Sequence, residues 1–354
     1  MNQSLGLVQS IVPGEKNNLF KIKTLGGSRD YEKIIPGKFE VGGSIEYYLQ
    51  NCAFIRQAIG EDTATTTTID SGPKIEYPSA TAYAYKHIMG SAESPNINDF
   101  PSFQLEFTDY ETSSATEDGT AKYNLRRTFV GCRVNDLTLS ATIDEPVKVS
   151  ANWLGKRVIV STSDQSYSTE LTGDPYVFYQ GAVYLTTGVA TCGTRQDTLA
   201  AGDDQLAYVN NFDLTINNNC EAVWYICGTT SSFDSKRSAK NIYPKGRDYG
   251  LKLGLHYKNR ELYERFLGAI GATADQTTFG VQPQVVLDFV RSGEIGSVWA
   301  PTSTPDYFRI VAASVVFDDM AINGSPEELV GNDTNVFVKS LKFYAVDSDV
   351  SYKS

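Results

Sequence analysis

The sequence predicts a mainly β chain of the α+β class, built as two tandem domains, 1–174 and 175–354, each with one flanking α-helix. Three observations carry this. Short runs of alternating apolar and polar residues recur between clusters of Gly, Pro, Asn and Asp, as half-buried strands do. Helical spacing of apolar residues comes only twice, each time directly after a strand. The order β-β-loop-β-α-β-β-β is written twice, as an internal duplication of about 170 residues would write it. At 354 residues, two domains is also the expected number.

Residues 5–11 and 19–25 read as two strands joined by the turn VPGEKNN. After Ile34-Ile35-Pro36-Gly37, Phe39 and Val41 alternate with Lys38 and Glu40 in a one-sided strand. Tyr48, Leu49, Cys52, Ile55 and Ile59 continue at helical spacing, and Gly60 stops the helix. Residues 61–100 form a polar excursion, with a short strand around 81–88. Phe103, Leu105 and Phe107 then share one strand face, and Gln104, Glu106 and Thr108 the other. Residues 113–122 make a polar hairpin tip. Leu137 and Leu139 alternate with Asp136, Thr138 and Ser140, and residues 147–153 repeat the pattern after the turn Asp144-Glu145-Pro146. Residues 161–174 have the composition of a linker, and 176–185 read as a further strand or pair.

The second half repeats the plan. Residues 212–216 and 223–226 flank the turn NNNCE, in the manner of the opening two strands. A polar loop, 229–247, ends in Ile242-Tyr243-Pro244-Lys245-Gly246. Leu251, Leu253 and Leu255 then mark a strand with one buried face. Asn259 caps a helix whose apolar stripe is Leu262, Tyr263, Phe266, Leu267 and Ile270, with Gly271 as its left-handed stop. Ala58-Ile59-Gly60 thus recurs as Ala269-Ile270-Gly271. Residues 285–290 stand where 103–107 stood. Residues 310–317 and 336–346 are the last strands, joined by a loop that reads as longer than its counterpart.

Net charge is −11, divided as −6 over residues 1–175 and −5 over 176–354. An acidic balance spread over both halves argues against ordinary nucleic-acid binding, which needs a basic face. No apolar run approaches membrane-spanning length, and residues 1–18 lack the basic head and apolar body of an export signal. Synthesis and assembly inside a cell, away from membranes, is the expectation. The five cysteines form no CxxC pair, so reduced and mostly buried thiols are expected. His256 lies in a strand and His87 in a Tyr- and Ala-rich stretch with no partner motif. Asp203-Asp204, Asp318-Asp319 and Glu327-Glu328 read as solvated turn charges. The glycines of GKFEVGGS predict close packing or a bend rather than a phosphate loop. No catalytic, cofactor-binding or metal-binding constellation emerges, and the chain is not expected to be an enzyme.

The stretches GCRVNDLTLSA and VKVSANWLGK, within 131–156, together with VNNFDLTINNNCEAVW at 209–224, resemble phage tail tube proteins. In that family a strand of similar pattern is followed by one ending in Gly-Lys, then by a Leu-Thr-Ile-Asn-Asn-Asn strand and a strand–helix unit. The order holds along most of the chain; the polar inserts at 61–100 and 229–247 depart from it. The resemblance implies a β-sandwich or barrel of two packed sheets with a flanking helix in each half. It also implies self-assembly into stacked rings, contacts with other tail proteins, and a place in the virion tail. The tail would be assembled in the host cytoplasm. Six tube domains around an axis would need three two-domain chains, a pseudo-hexamer. Viral DNA would pass down the bore without specific binding, and fixed cations there would pair with its phosphates. The acidic excess is therefore expected to face the bore in part, with Glu40, Glu106, Asp136, Asp213 and Asp288 as candidates.

Two other readings use the same residues. One is a related ring: a tail terminator, a distal adaptor or the inner tube of a contractile injector. The other is a carbohydrate-binding or adhesin module, for which Tyr176, Tyr179 and Tyr184 would have to form an exposed cluster.

Overall fold

The computed structural model describes residues 5–25, 30–60, 74–76, 83–90, 101–109, 125–161, 173–186, 204–205, 209–225, 237–256, 261–280, 282–292, 306–319, 322–324 and 329–347. The first half contributes β1 (Val8–Ile22), β2 (Lys33–Tyr48), α1 (Arg56–Ile59), β3 (Lys74–Glu76), β4 (Tyr83–Gly90), β5 (Phe103–Asp109), β6 (Leu125–Thr142), β7 (Lys148–Gly155) and β8 (Arg157–Ser161). The second contributes β9 (Gly181–Thr186), β10 (Asp204–Gln205), β11 (Val209–Asn217), β12 (Glu221–Val223), β13 (Asn241–Tyr243) and β14 (Asp248–His256). It continues with α2 (Glu261–Phe266), β15 (Gln284–Ser292), β16 (Asp306–Asp319), β17 (Ile322–Gly324) and β18 (Leu329–Asp347). The fold is mainly β, and all but β12 and β13 join one large antiparallel sheet.

The main path runs β1-β2-β7-β6-β11-β14-β18-β16-β15-β9-β10. Each half lays down its long strands in the same order, β1-β2-β7-β6 and then β11-β14-β18-β16. The two runs meet where β6 pairs with β11, from Asp136↔Asn217 to Thr142↔Asn211. The halves therefore share one ladder, and one hydrophobic core extends through both.

β6 is long because it serves two layers. It bends at Gly131, whose φ of +66° suits glycine. Its first part, as far as Cys132, pairs with β5 and β8; from Arg133 on it pairs with β7 and then β11. Phe129, before the bend, packs on Trp153 of β7 with ring centroids 5.0 Å apart, so the two layers face each other across a core. β16 bends similarly at Ser314, φ +52°. Three features recur along β6 and β16 at one constant separation: an arginine paired to the neighbouring strand's carboxylate (Arg126, Arg309), the bend (Gly131, Ser314), and a bulge after Val134 and after Phe317. Residues 136–152 and 319–335 are equally long, so the second hairpin loop is not longer than its counterpart, against expectation.

Two expected turns are corrected. The VPGEKNN segment is not a turn: β1 runs straight through it as an edge strand paired with β2 along its length. An edge tolerates Pro13, because one side of the strand needs no ladder donor. Gly43 faces Pro13 because the packing there is close; a Cβ on it would lie 2.6 Å from the Val12 carbonyl oxygen and 2.9 Å from the Trp153 ring. Likewise β12 does not fold back on β11. It continues beyond the Asn217–Cys220 corner and pairs with β13, in the register that β1 keeps with β2.

The helices are shorter than predicted. Tyr48 belongs to β2, and Leu49 donates to the Val147 carbonyl, so the ladder claims the first turn of the expected helix. Only a 3-10 turn, Ala53–Ile55, and α1 remain. α2 ends at Phe266, and Gly268 with φ +124° breaks the chain before Gly271 does. Leu262 is buried, but Tyr263 and Ile270 are exposed. Leu251, Leu253 and Leu255 are buried as predicted, and a strand covers 83–90. The expected linker lies mostly outside the described residues; at its end, Tyr176 donates to Leu49 O and accepts from Val147 N.

The two stretches that carry the family resemblance meet at one corner. Asn218 is buried, and its Nδ2 donates to Ala58 O at 2.9 Å and Val134 O at 3.1 Å. Its Oδ1 accepts from Arg247 Nε at 2.7 Å, and its backbone N–H donates to Asn135 O at 2.7 Å. Asn218→Ala is expected to lower stability by at least about 2 kcal/mol, since buried polar groups lose their partners. A reduced urea midpoint with unchanged slope checks this; an unchanged midpoint would show that the corner is not a lock.

Candidate polar sheet face and open edges

Period-two alternation buries one face of the β2-β7-β6-β11-β14 sheet and turns the other to solvent. The buried side carries Ile45, Ala151, Leu137 and Ile216 in neighbouring strands, then Tyr47, Val149, Leu139, Leu214 and Leu251. The solvent side carries matching cross-strand rows. One is Ser44, Asn152, Asp136, Asn217 and Asp248. Another is Glu46, Ser150, Thr138 and Thr215; a third is Lys148, Ser140, Asp213 and Lys252.

Three of the five predicted acids, Glu40, Asp136 and Asp213, share this face, by strand parity and register. Their surroundings differ. Glu40 pairs with Lys38, which together with Asn18 holds its carboxyl below the usual carboxylate range. Asp136 is held by amides, accepting from Asn152 Nδ2 at 2.6 Å and Asn135 Nδ2 at 2.9 Å. Asp213 accepts from the Thr215 hydroxyl at 3.3 Å and lies in register with Lys252. An amide holds a carboxylate without cancelling its charge, whereas a lysine cancels it. Asp248 and Glu46 share the face and were not singled out. Parity with Gly250 and Lys252, and with Ser44 and Tyr48, is the signal that reveals them. Glu46 is paired to Lys148 at 2.9 Å, and Asp248 accepts from Asn219 Nδ2 at 3.0 Å.

The other two acids lie elsewhere. Glu106 is on the outer face of the β5-β6-β8 layer, opposite Thr128, and is bound by Arg126 Nε and Nη2, each at 2.8 Å. Because Leu105 and Phe129 of that layer point to the core, Glu106 faces away from the Asp136 face. Asp288 is 3 % exposed and Arg309 0 %. They form a bidentate pair, with Nε–Oδ1 at 2.6 Å and Nη2–Oδ2 at 2.7 Å. Asp288 is thus spent inside the fold and leaves the list of surface acids.

The main path ends at β1 and β10, and among the described residues a further stretch of edge is left open part-way along it, on β16. Among the described residues, no strand pairs with the outer edge of β1. Past Ser314, β16 keeps its ladder with β18, and Val315 N–H donates to Pro283 O at 2.9 Å. From Val316 to Asp319, and along β17, the described residues supply β18 alone as a ladder partner. The corresponding part of β6 is the part that β11 covers.

Other chemistry is sparse among the described residues. No group of three metal-ligating side chains occurs, and no helix is long and apolar enough to cross a membrane. Cys52 and Cys132 are buried thiols, and Cys220 is a half-buried one. Burial pushes Cys132 up to about 12 and Cys220 up to about 11. His256 ends β14 opposite Val330, as a strand residue. Tyr176 is buried against Phe308, with centroids 4.8 Å apart, while Tyr179 is exposed, so no joint aromatic platform forms.

Removing one partner of the buried pair strands the other's charge. Asp288→Asn is expected to cost about 3–5 kcal/mol. The double variant Asp288→Leu with Arg309→Met should cost clearly less, as read from urea unfolding midpoints. Equal losses would show that packing, not charge, sets the cost.

A family model described as phage tail tube protein matches residues 13–298. No curated protein matches the chain.

Proposed function

The chain belongs to the phage tail tube protein family, and from that premise we propose that its copies close into rings that stack to form the tail tube. The polar face of the long sheet lines the bore, through which viral DNA reaches the host. A structural role in the virion tail goes with the family. The tube is assembled in the host cytoplasm, with other tail proteins at its ends.

The observation that carries this reading is the β6·β11 junction. It joins two runs of equal strand order, edge to edge, and among the described residues leaves the outer edge of β1 free on the first run and the β16–β17 edge free on the second. The free edges are different surfaces, so contact between copies is heterologous, and heterologous contacts form rings when the rotation closes. We read 1–174 and 175–354 as two tube domains arising by duplication. The repeated strand order, bend, bulge and arginine pair support this. Six such domains around the axis make a ring of three chains with pseudo-six-fold symmetry.

The bore-facing acids of this reading are Glu40, Asp136 and Asp213, with Asp248 and Glu46 beside them. Asp136 and Asp248, held by amides, leave the face uncancelled negative charge that phosphates do not bind, while Asp213 shares its row with Lys252. Glu106 belongs to the outer layer.

Electron microscopy of the purified chain is expected to show tubes or stacked rings with three-fold averages. True six-fold rings of twelve domains per layer overturn the trimer. The pair Asp136→Lys and Asp213→Lys should leave assembly intact and slow genome ejection. Unchanged ejection kinetics remove both residues from the bore.

A further inference from the structure

We propose that the apolar groove beside α2 receives the β1–β2 hairpin of a second copy of the chain. This deepens the ring reading and rests on it. The groove has a volume of about 200 Å³ and is lined in part by Ala269, Ile270, Phe279, Pro283, Val316 and Phe317. Ile270 is 57 % exposed.

The first half has the same place already filled. There the lining is Ala58, Ile59, Arg133 and Val134, and the filler comes from the second half. Asn218 binds Ala58 O and Val134 O, Arg247 Nη1 donates to Ile59 O at 2.9 Å, and Arg133 Nη1 donates to Ile242 O at 2.6 Å. Ile59 and Ile242 are both 0 % exposed.

The filler is the β12–β13 ladder, and its counterpart in the first half is the far end of β1–β2. The registers agree: Glu221↔Tyr243, Ala222↔Ile242 and Val223↔Asn241 answer to Phe20↔Ile35, Lys21↔Ile34 and Ile22↔Lys33. Ile242-Tyr243-Pro244 answers to Ile34-Ile35-Pro36. Ile34 is 56 % exposed, and Leu19 and Phe20 are exposed beside it. Among the described residues, one chain therefore holds a filled groove with its filler, an open groove, and an uncovered filler.

Five strands, β7, β6, β11, β14 and β18, separate β2 from β16 in the sheet, so a second copy supplies the contact. Charge agrees. Carrying the pairing Asp136↔Asn217 over to the free edges sets Lys16 of one copy opposite Asp319 of the next, and both are exposed. A Lys–Asp pair across an edge is attractive and disfavours slipped registers.

The test uses the full chain carrying Ile34→Cys and Ile270→Cys together, assembled and then treated with a short bismaleimide. A ladder of covalent oligomers is expected on a denaturing gel, with each single variant matching the parent. Ile34→Asp and Ile270→Asp should each lose assembly while melting temperature and circular dichroism stay those of the parent. Tubes that form with the double-cysteine pair uncoupled, or with both aspartate variants assembling normally, overturn this docking and leave the tube reading standing. A parent chain that never assembles overturns both.

Discussion

The rest of the structure depends on the backbone ladder between β6 and β11. Strand edges carry rows of unpaired N–H and C=O groups, and leaving them unpaired among apolar neighbours is costly. At this junction the chain solves the problem internally: the downstream part of β6 is covered by β11 over Asp136–Thr142. Because pairing is antiparallel with a period of two, this one register also decides the faces. It sets Leu139 against Leu214 on the core side and Ser140 against Asp213 on the solvent side. A slip by one residue would exchange the two faces of every strand beyond it.

That coupling explains why the acidic residues are not equivalent. The face they occupy follows from parity, but the charge they deliver depends on what the neighbouring strand places beside them. Lys38 and Lys148 cancel Glu40 and Glu46. Asn152 and Asn219 hold Asp136 and Asp248 in place and leave the charge. Arg126 pairs with Glu106 on the outer layer, and Arg309 consumes Asp288 inside the fold. The uncancelled negative charge of this sheet face thus comes from a few amide-held carboxylates, not from the net charge of −11 as a whole.

The strands were largely legible because alternation is a local signal. Leu251, Leu253 and Leu255 face the core as their spacing requires, and so do Leu137 and Leu139. The asymmetric failures were equally physical. A helical spacing from Tyr48 to Ile59 cannot announce that Leu49 N–H is already committed to Val147 O. Pro13 and Gly14 read as a turn unless one knows that β1 is an edge, a property of the whole sheet. The acid candidates were found by alternation, which gives the side of a strand but not the partner across it. Nothing local in VVLDFV reveals that Arg309, far along the chain, closes on Asp288. The Asn-Asn-Asn stretch was visible as a motif, yet its work at the Asn218 corner needed α1, β6 and Arg247 together.

The same corner bears on the proposed head-to-tail contact between copies. A two-fold dimer would join β1 to β1, using one free edge twice and leaving the β16–β17 edge and the α2 groove uncovered in both copies. A head-to-tail contact uses each free feature once: edge on edge, hairpin on groove. The contact buried within one chain already has this form, with the β11–β14 hairpin extended past its corner to lie against α1 and β6. Its energetic components are ladder bonds, a buried asparagine and apolar burial of Ile59 and Ile242. The two ends of the chain offer the same kinds of group, ladder edge and apolar side chain, without that covalent linkage. In the proposed ring one repeated contact covers both the β1 edge and the β16–β17 edge of every copy, and it does so only where the rotation between copies closes, since the same unlike surfaces would otherwise extend as an open filament.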